Sequence, residues 1–302
     1  MIKNLLLALP ITVALACGGT LPPEENDAAL PTDGVRVDGT TPTSDTGTTP
    51  TSDTGTTPTS DAGTTPTPDQ GSTTHYDGEP GEYVLTHNGR QYRLYVPSGY
   101  RQGTPIPLLL GFHGSGDTGG NFYLIAKSLG WTTAAEPARY ALLVPDTKSP
   151  YSDFGTWSGD VMNDAGAMKD EMTEILAIVD ETARHYNLDT KHLHAFGFSN
   201  GGLFVALAGM ANSQTFASLT VMAFGWGAQY PLVTPTRKIA TQLACGTSDS
   251  FYPQAQQSAS YLSSQGHPSR LETAAGVSHR FSGICQAVGI DNLVSWMEQH
   301  TL

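Results

Sequence analysis

The stretch Gly197-Phe198-Ser199-Asn200-Gly201 decides the fold of this chain. An apolar run, residues 192–196, directly precedes it, and a second apolar run, residues 203–208, directly follows it. This pattern predicts a strand, a tight turn with a serine at its apex, and then a helix. The flanking glycines let strand and helix approach closely, and the turn forces Ser199 into a strained backbone conformation. The hydroxyl is then presented at the positive end of a helix dipole, which suits a nucleophile, whereas the alternative is a simple helix-capping serine.

Two further segments supply partners for such a nucleophile. Asp249 follows Gly246 directly after the predicted strand 238–245, and His279 follows Gly276 at the end of the predicted strand 270–276. An imidazole must remove the serine proton, and a carboxylate must hold the imidazole in the right tautomer. Each residue alone is equally consistent with turn or loop chemistry. Their order along the chain, serine, acid and then histidine, is the order found in α/β hydrolases.

Position along the chain excludes two rival residues and indicates the oxyanion site. His267 precedes the last predicted strand, and Asp291 lies within the predicted final helix, so we reject both as members of the site. An oxyanion hole needs two backbone N–H groups. We predict that these belong to Asn200, directly after the nucleophile, and to Ser115, in the small-residue loop after the strand 107–113.

The remaining pattern predicts the fold class. Alternating residues around Asn88-Gly89 predict an antiparallel hairpin, 82–87 with 90–96. Strands and helices then alternate to the end of the chain, except that residues 225–236 between two strands look like a loop. This is typical of an α/β-hydrolase fold, a mostly parallel sheet with helices on both faces and its chemistry at the carboxyl ends of the strands. Further predicted strands cover 140–145, 192–198 and 216–224, and predicted helices cover 121–129, 164–186, 201–211, 254–264 and 284–300.

The first 80 residues differ from this domain, which we place at 81–302. Residues 1–17 resemble a bacterial lipoprotein signal, with Cys17 as the lipidated first residue of the exported chain; the alternative is ordinary signal cleavage near an unmodified cysteine. Residues 18–80 are a Thr/Pro/Ser/Asp-rich linker whose eight-residue repeat, TTPTSDTG, runs through 40–71. Because it carries almost no apolar surface, this linker is predicted to be disordered. We therefore expect an exported protein held at a membrane through Cys17, or a secreted one.

Charge and cysteines exclude some classes of partner. Residues 1–80 carry 11 acidic and 2 basic side chains, a net charge of −9 out of −13 for the whole chain. The domain is nearly balanced and has no basic cluster, so nucleic acid is not an expected partner. Cys245 and Cys285 can form a disulfide in an exported protein, although sequence cannot establish their separation. No spacing of cysteine and histidine predicts a structural zinc site, and the chemistry inferred above needs no metal or cofactor.

Several short motifs resemble the polyhydroxybutyrate depolymerase and feruloyl esterase branch of the α/β-hydrolase superfamily. The matching stretches are His113-Gly114-Ser115-Gly116, Trp157-Ser158-Gly159-Asp160, Asn187-Leu188-Asp189, Gly197-Phe198-Ser199-Asn200-Gly201-Gly202, Gly246-Thr247-Ser248-Asp249 and Gly276-Val277-Ser278-His279. The resemblance covers nearly all of residues 81–302. It implies a serine esterase that acts on an ester substrate, including a polymeric one, through an acyl-enzyme.

The sequence also suggests substrate contacts and leaves two alternative functions open. Among the aromatic residues of the strand-end loops, Trp157 and Phe251 are the predicted substrate-binding residues. A serine peptidase of the prolyl-oligopeptidase type has the same fold and residue order. A non-catalytic surface binding module on a stalk is the third alternative, and a complete triad argues against it.

Overall fold

The computed structural model describes residues 78–148, 155–157 and 165–302. The predicted export signal, Cys17 and the predicted linker up to residue 77 lie outside the described residues. Of the motif at 157–160, only Trp157 is described.

The strands follow the predicted order with small changes at their ends. Their bounds are β1 Gly81–His87, β2 Arg90–Val96, β3 Ile106–Phe112, β4 Ala141–Pro145, β5 Leu188–Phe198, β6 Ser218–Met222, β7 Ala240–Gly246 and β8 Ser269–Ala274. The predicted hairpin is confirmed, since β1 and β2 pair antiparallel from Gly81↔Val96 to His87↔Arg90. Asn88 and Gly89 both have positive φ, 48° and 80°, as a two-residue hairpin turn of this kind requires. β5 begins four residues before its predicted start at 192, at Leu188.

The eight strands form one sheet in the order β1-β2-β4-β3-β5-β6-β7-β8. β2 pairs antiparallel with β4, and every pair from β4 to β8 is parallel. The predicted α/β-hydrolase fold, with its mostly parallel sheet and N-terminal hairpin, is confirmed. The carboxyl ends of β3, β5, β7 and β8 therefore meet along one rim.

Helices cover both faces of this sheet. Their bounds are α1 Gly119–Leu129, α2 Trp131–Ala135, α3 Ala165–His185, α4 Asn200–Phe204, α5 Tyr252–Ser264, α6 Phe281–Val288 and α7 Ile290–Glu298. α4 continues as a π-helical segment, Val205–Gly209. The prediction of one final helix over 284–300 is wrong. Gly289, with φ of 85°, separates α6 from α7 because a left-handed residue breaks the helical hydrogen-bond ladder.

Two apolar clusters occupy the two faces of the sheet. One contains β3 residues Leu108 and Leu110 and side chains from α3, the π-helical segment and α5. The other contains Leu109 and side chains from α1, α2, α6 and α7. Neighbouring residues of β3 alternate between the clusters because successive side chains of a strand point to opposite faces. A parallel sheet covered on both faces explains the continuous apolar runs in the sequence.

The disulfide that the sequence allows between Cys245 and Cys285 is not formed. Both cysteines are described as reduced and buried. Cys245 belongs to the cluster that contains α3, whereas Cys285 lies on α6 and belongs to the cluster on the opposite face. The sheet itself separates the two sulfur atoms, so they cannot reach bonding distance without a change of fold.

Within the described ranges, every helix is too short or too polar to cross a bilayer.

Candidate active site

The backbone at Ser199 is strained in the way that the sequence predicts. Ser199 adopts φ 55° and ψ −115° between the end of β5 and the start of α4. Its N–H donates to the Met222 carbonyl of β6 at 2.9 Å, which holds the turn against the neighbouring strand. An added Cβ would lie 2.3 Å from the Gly201 carbonyl oxygen at Gly197, and 2.2 Å from the Phe112 carbonyl oxygen at Gly201. Only glycine fits at both positions, and this close approach keeps Ser199 at the rim.

Of the three side chains that the sequence singled out, His279 lies within hydrogen-bonding distance of both Ser199 and Asp249. His279 Nε2 lies 2.8 Å from Ser199 Oγ, and His279 Nδ1 lies 2.8 Å from Asp249 Oδ2. A carboxylate can only accept, so Nδ1–H donates to Asp249, and Nε2 accepts the Ser199 hydroxyl proton. The Asp249 side chain is fully buried, whereas that of His279 is 24% exposed. One imidazole thus connects a buried acid to a serine that substrate can reach.

The buried carboxylate has further partners that the sequence did not reveal. The Phe251 N–H donates to Asp249 Oδ1 at 2.9 Å. Burial, together with the charge of Asp249 and a hydrogen bond to it, raises the pKa of the Cys245 thiol to about 12. The thiol therefore stays protonated at neutral pH and can donate to the carboxylate. Cys245, for which the sequence left a disulfide open, is instead a hydrogen-bonding neighbour of Asp249.

Strand order explains why the three residues meet. Ser199 follows β5, Asp249 follows β7 and His279 follows β8, with β6 between the first two. Two backbone bonds join the acid and histidine loops, from Thr247 N–H to the Ala274 carbonyl at 2.9 Å and from Ser248 N–H to the Val277 carbonyl at 3.0 Å. Residues 80 positions apart thereby share one rim of the sheet.

The predicted oxyanion residues lie in the two segments that flank the serine. Asn200 is the first residue of α4, where N–H groups have no acceptor within the helix. Ser115 lies in the loop between β3 and α1 and is half-buried. The beginning of this loop abuts the nucleophile turn, since an added Cβ at Gly201 would also lie 2.5 Å from the His113 carbonyl oxygen. Their role in binding an oxyanion stays a prediction.

The prediction that Trp157 binds substrate is wrong in this structure. The side chain is fully buried in the apolar core. Its ring lies edge-on to Phe112 at 5.0 Å and stacks on Phe204 at 5.2 Å, and its indole N–H donates to the His113 carbonyl at 2.8 Å. A large indole gains more from such packing than from exposure at a rim, so it lies inside the protein.

Phe251 does lie next to the triad. Its half-buried ring is 5.8 Å from the His279 ring and 5.3 Å from the Phe224 ring. Phe198, one residue before the serine, lies 5.1 Å from the His279 ring on another side. The sequence analysis missed Phe198 and Phe224 as neighbours of the site. Their positions directly before Ser199 and just after β6, at the ends of rim-forming strands, are the signal that could have found them.

The two rejected residues are occupied elsewhere. His267 is buried, with Nε2 3.0 Å from the Tyr230 hydroxyl and Nδ1 2.9 Å from the Ile239 carbonyl oxygen. Asp291 is exposed and pairs with Arg139 at 2.7 Å. Neither residue is hydrogen bonded to Ser199 or His279 within the described part of the chain.

Comparisons with known proteins bear on the fold that carries these residues. No protein-family model matches the chain. A bifunctional acetylxylan esterase/xylanase of Neocallimastix patriciarum is 31% identical over 126 residues, covering 41% of this chain and only 16% of that protein. Among solved structures, a thermostable esterase has a TM-score of 0.58 at 18% identity, covering 73% of this chain and 63% of that one. A CE1 ferulic acid esterase of Anaeromyces mucronatus has a TM-score of 0.55 at 17% identity, covering 71% and 88%. At such identities the solved structures inform on the fold alone.

The arrangement has a defined chemical capacity. A serine hydroxyl bonded to a neutral imidazole can lose its proton as it attacks an electrophilic carbon. The buried carboxylate then stabilises the imidazolium that forms. The arrangement is therefore chemically suited to covalent attack on a carbonyl carbon.

Proposed function

We propose that this chain, which has the α/β-hydrolase fold, is a serine hydrolase that cleaves carboxylic esters through an acyl-enzyme. The observation that carries the proposal is the continuous hydrogen-bond chain from Ser199 through His279 to Asp249, at a strained turn on the rim of the sheet. The esterases among its structural neighbours and its curated relative support the same reaction class.

The first half-reaction forms the acyl-enzyme. Ser199 Oγ attacks the ester carbonyl carbon while His279 Nε2 takes the hydroxyl proton, and the carbonyl oxygen becomes an oxyanion. Backbone N–H groups of Asn200 and Ser115 stabilise that negative charge. The tetrahedral intermediate then collapses: the bond to the alcohol oxygen breaks, and His279 donates its proton to the leaving alcohol.

The second half-reaction regenerates the serine. Water attacks the acyl carbon, and His279 Nε2 takes one of its protons. Collapse of the second intermediate breaks the bond to Ser199 Oγ, which recovers its proton from His279, and the carboxylic acid leaves. Asp249 stays ionised throughout and holds the imidazole in one orientation.

For the substrate class, we propose acyl esters of a polymer, with acetyl and hydroxycinnamoyl esters of polysaccharides as the first candidates. The supporting observations are the acetylxylan esterase and ferulic acid esterase named among the similar proteins. The rings of Phe198 and Phe251 next to His279, with Phe224 beside Phe251, suit an aryl or acyl group. Polyhydroxybutyrate is the alternative polymer that the sequence motifs suggest.

A fluorophosphonate probe tests the reaction class directly. We expect stoichiometric labelling of the wild-type chain, with Ser199 as the modified residue in peptide mass spectra, and no labelling of Ser199→Ala. Parallel assays with p-nitrophenyl acetate, methyl ferulate, acetylated xylan, polyhydroxybutyrate and a matched anilide then define the substrate.

Each result decides between the candidate functions. Turnover of esters without the anilide supports an esterase, and faster turnover of the anilide favours a peptidase. A folded wild-type chain that neither reacts with the probe nor hydrolyses any ester contradicts the proposal and favours a binding module.

For location, we propose export and attachment to a membrane through a lipidated Cys17. The first described residue, Gly78, packs against the His185 carbonyl at the end of α3, and the Tyr186 hydroxyl donates to the Glu79 carbonyl at 2.9 Å. This point lies at the amino-terminal end of β5, whereas Ser199 follows its carboxyl end. The chain therefore enters the described domain at the end of β5 opposite Ser199. Cys17→Ala should move esterase activity from the membrane fraction to the soluble fraction, and activity that stays with the membrane contradicts the anchor.

A further inference from the structure

The segment Gly155–Trp157 is bonded to both arms of the predicted oxyanion hole. The Trp157 backbone N–H donates to the side-chain oxygen of Asn200, Oδ1, at 2.8 Å. The Trp157 indole N–H donates to the His113 carbonyl at 2.8 Å. The Gly116 N–H, next to Ser115, donates to the Gly155 carbonyl at 3.2 Å. Three hydrogen bonds thus join one short segment to the nucleophile helix and to the β3–α1 loop.

Trp157 is a rigid centre for these bonds. Its side chain is fully buried, and its ring is enclosed by Phe112, Phe204 and His113 at centroid distances of 5.0, 5.2 and 4.7 Å. A fully packed indole has few accessible rotamers, so its two N–H groups keep fixed directions. The His113 ring adds to this rigidity because its Nδ1–H donates to the Gly114 carbonyl at 2.8 Å.

The distance between the two arms matters for catalysis. An oxyanion is stabilised only when both donors lie about 2.7–3.1 Å from the oxygen, and an error of about 1 Å can cost about 100-fold in rate. The Asn200 N–H needs no particular side chain, because every residue except proline supplies one. The Asn200 amide side chain is therefore free for a different role, and its bond to Trp157 indicates that this role is positioning.

We propose that the Asn200 side chain and Trp157 form a brace that positions the oxyanion hole. The brace consists of the bond from Trp157 N–H to Asn200 Oδ1 and the bond from the Trp157 indole to His113. Both residues are positioning residues, because neither side chain needs to touch the substrate. The inference rests on the proposed function and adds to it a reason for an asparagine after the nucleophile and for a buried tryptophan.

The main test is Asn200→Ala, which keeps the backbone N–H and removes only the acceptor for Trp157. We expect kcat for p-nitrophenyl acetate to fall about 10- to 100-fold while KM changes less than about 2-fold. A boronic acid inhibitor forms a tetrahedral adduct on Ser199, so its Kd should rise by the same factor as kcat falls. Rates are expressed per site that the fluorophosphonate probe labels at completion.

Two further variants separate a positioning role from a structural one. Asn212→Ala removes a matched amide, whose Nδ2 donates to the Ala208 carbonyl at 2.8 Å far from the rim, and should leave kcat and the boronate Kd unchanged. Trp157→Phe keeps the ring packing and the backbone N–H but removes the indole donor, and should lower kcat by about 3- to 10-fold.

The outcomes of this test differ from those of the proposed function. Wild-type activity with an unchanged kcat and boronate Kd in Asn200→Ala overturns the brace and leaves the esterase intact. A lower melting temperature in Asn200→Ala, with normal kcat per labelled site, also overturns it. If that variant does not fold, Trp157→Phe decides, since an unchanged kcat and Kd there contradict the brace. The proposed function itself fails on different results, such as a wild-type chain without any reaction at Ser199.

Discussion

Two serine–histidine pairs lie along β5 in the described part of the chain, and their surroundings differ. Just beyond the carboxyl end of β5, Ser199 is bonded to His279 at 2.8 Å. Inside the strand, His194 Nδ1 and Ser218 Oγ are hydrogen bonded at 2.7 Å, between β5 and the first residue of β6. Similar residue types at similar distances therefore occur twice on one sheet.

Exposure and backbone conformation distinguish the two serines. Ser218 is fully buried within a regular strand. Ser199 is partly exposed at a turn with positive φ, where neither strand nor helix covers its hydroxyl. A buried strand hydroxyl satisfies a neighbouring polar group, whereas a strained turn presents its hydroxyl to a substrate.

The acid distinguishes the two histidines. His279 is bonded to both Ser199 and Asp249, so one imidazole can accept a proton and be stabilised by a negative charge. Near the buried pair, Asp189 accepts from Nδ1–H of His192, whose ring is 6.2 Å from that of His194. The acid and the serine there belong to different imidazoles. Proton transfer therefore requires that one imidazole contact both the serine and the acid, and the presence of the three residue types is not enough.

The largest expected effect concerns the two serines. Ser199→Ala should lower kcat for p-nitrophenyl acetate by about 10⁴- to 10⁶-fold, because the nucleophile is lost. Ser218→Ala should leave kcat within about 2-fold and lower the free energy of unfolding by about 1–3 kcal/mol, since buried His194 loses its partner. Steady-state kinetics and urea unfolding measure both. Comparable losses of kcat in the two variants would contradict the view that Ser199 is the nucleophile and Ser218 a structural residue.

The next effect concerns the two acids. Asp249→Asn should lower kcat by about 10⁴-fold, because an amide can donate to Nδ1 and so favours the wrong tautomer of His279. Asp189→Asn should leave kcat unchanged, because His192 has no bond to a catalytic group. The same ester assay compares the two variants at equal protein concentration. Near wild-type activity in Asp249→Asn would mean that His279 is oriented by some other group.

The smallest effect concerns the pH dependence of stability at the buried pair. Burial lowers the pKa of His194 from 6.5 to about 3. Below pH 6.5 the unfolded chain therefore binds a proton that the folded chain excludes. The contribution of His194 to stability is fully present above pH 6.5 and is lost as the pH falls toward 3. His194→Gln should reduce the slope of unfolding free energy against pH by about 1.4 kcal/mol per pH unit within this window.

Urea unfolding of wild type and His194→Gln at several pH values between 4 and 7 measures that slope. Burial also lowers the pKa of His113 and of His267, so the wild-type slope includes their contributions as well. Only the difference between the two proteins reports on His194. Identical slopes would show that the His194 imidazole is protonated in the folded protein.

Local patterns predicted most of the elements. The hairpin around Asn88-Gly89, the apolar run of β3 and the turn at Ser199 each carry their signal within a few residues. The boundary errors have equally local causes. Gly289 divides the final helix. The first four residues of β5, 188–191, are mostly polar and show no alternating pattern, so the sequence does not predict them as part of the strand.

The sequence alone determined the order of the elements, the strained serine turn and the candidates for the acid and the base. These follow from periodicity, turn chemistry and the direction of a parallel sheet, which act over short distances along the chain. The tertiary structure decided which faces the side chains occupy. It buried Trp157, placed Cys245 and Cys285 on opposite sides of the sheet, and bonded Asp249 rather than Asp189 to the histidine that reaches the nucleophile. Contacts between residues far apart in the chain depend on strand order, register and packing, and no short stretch of sequence encodes them.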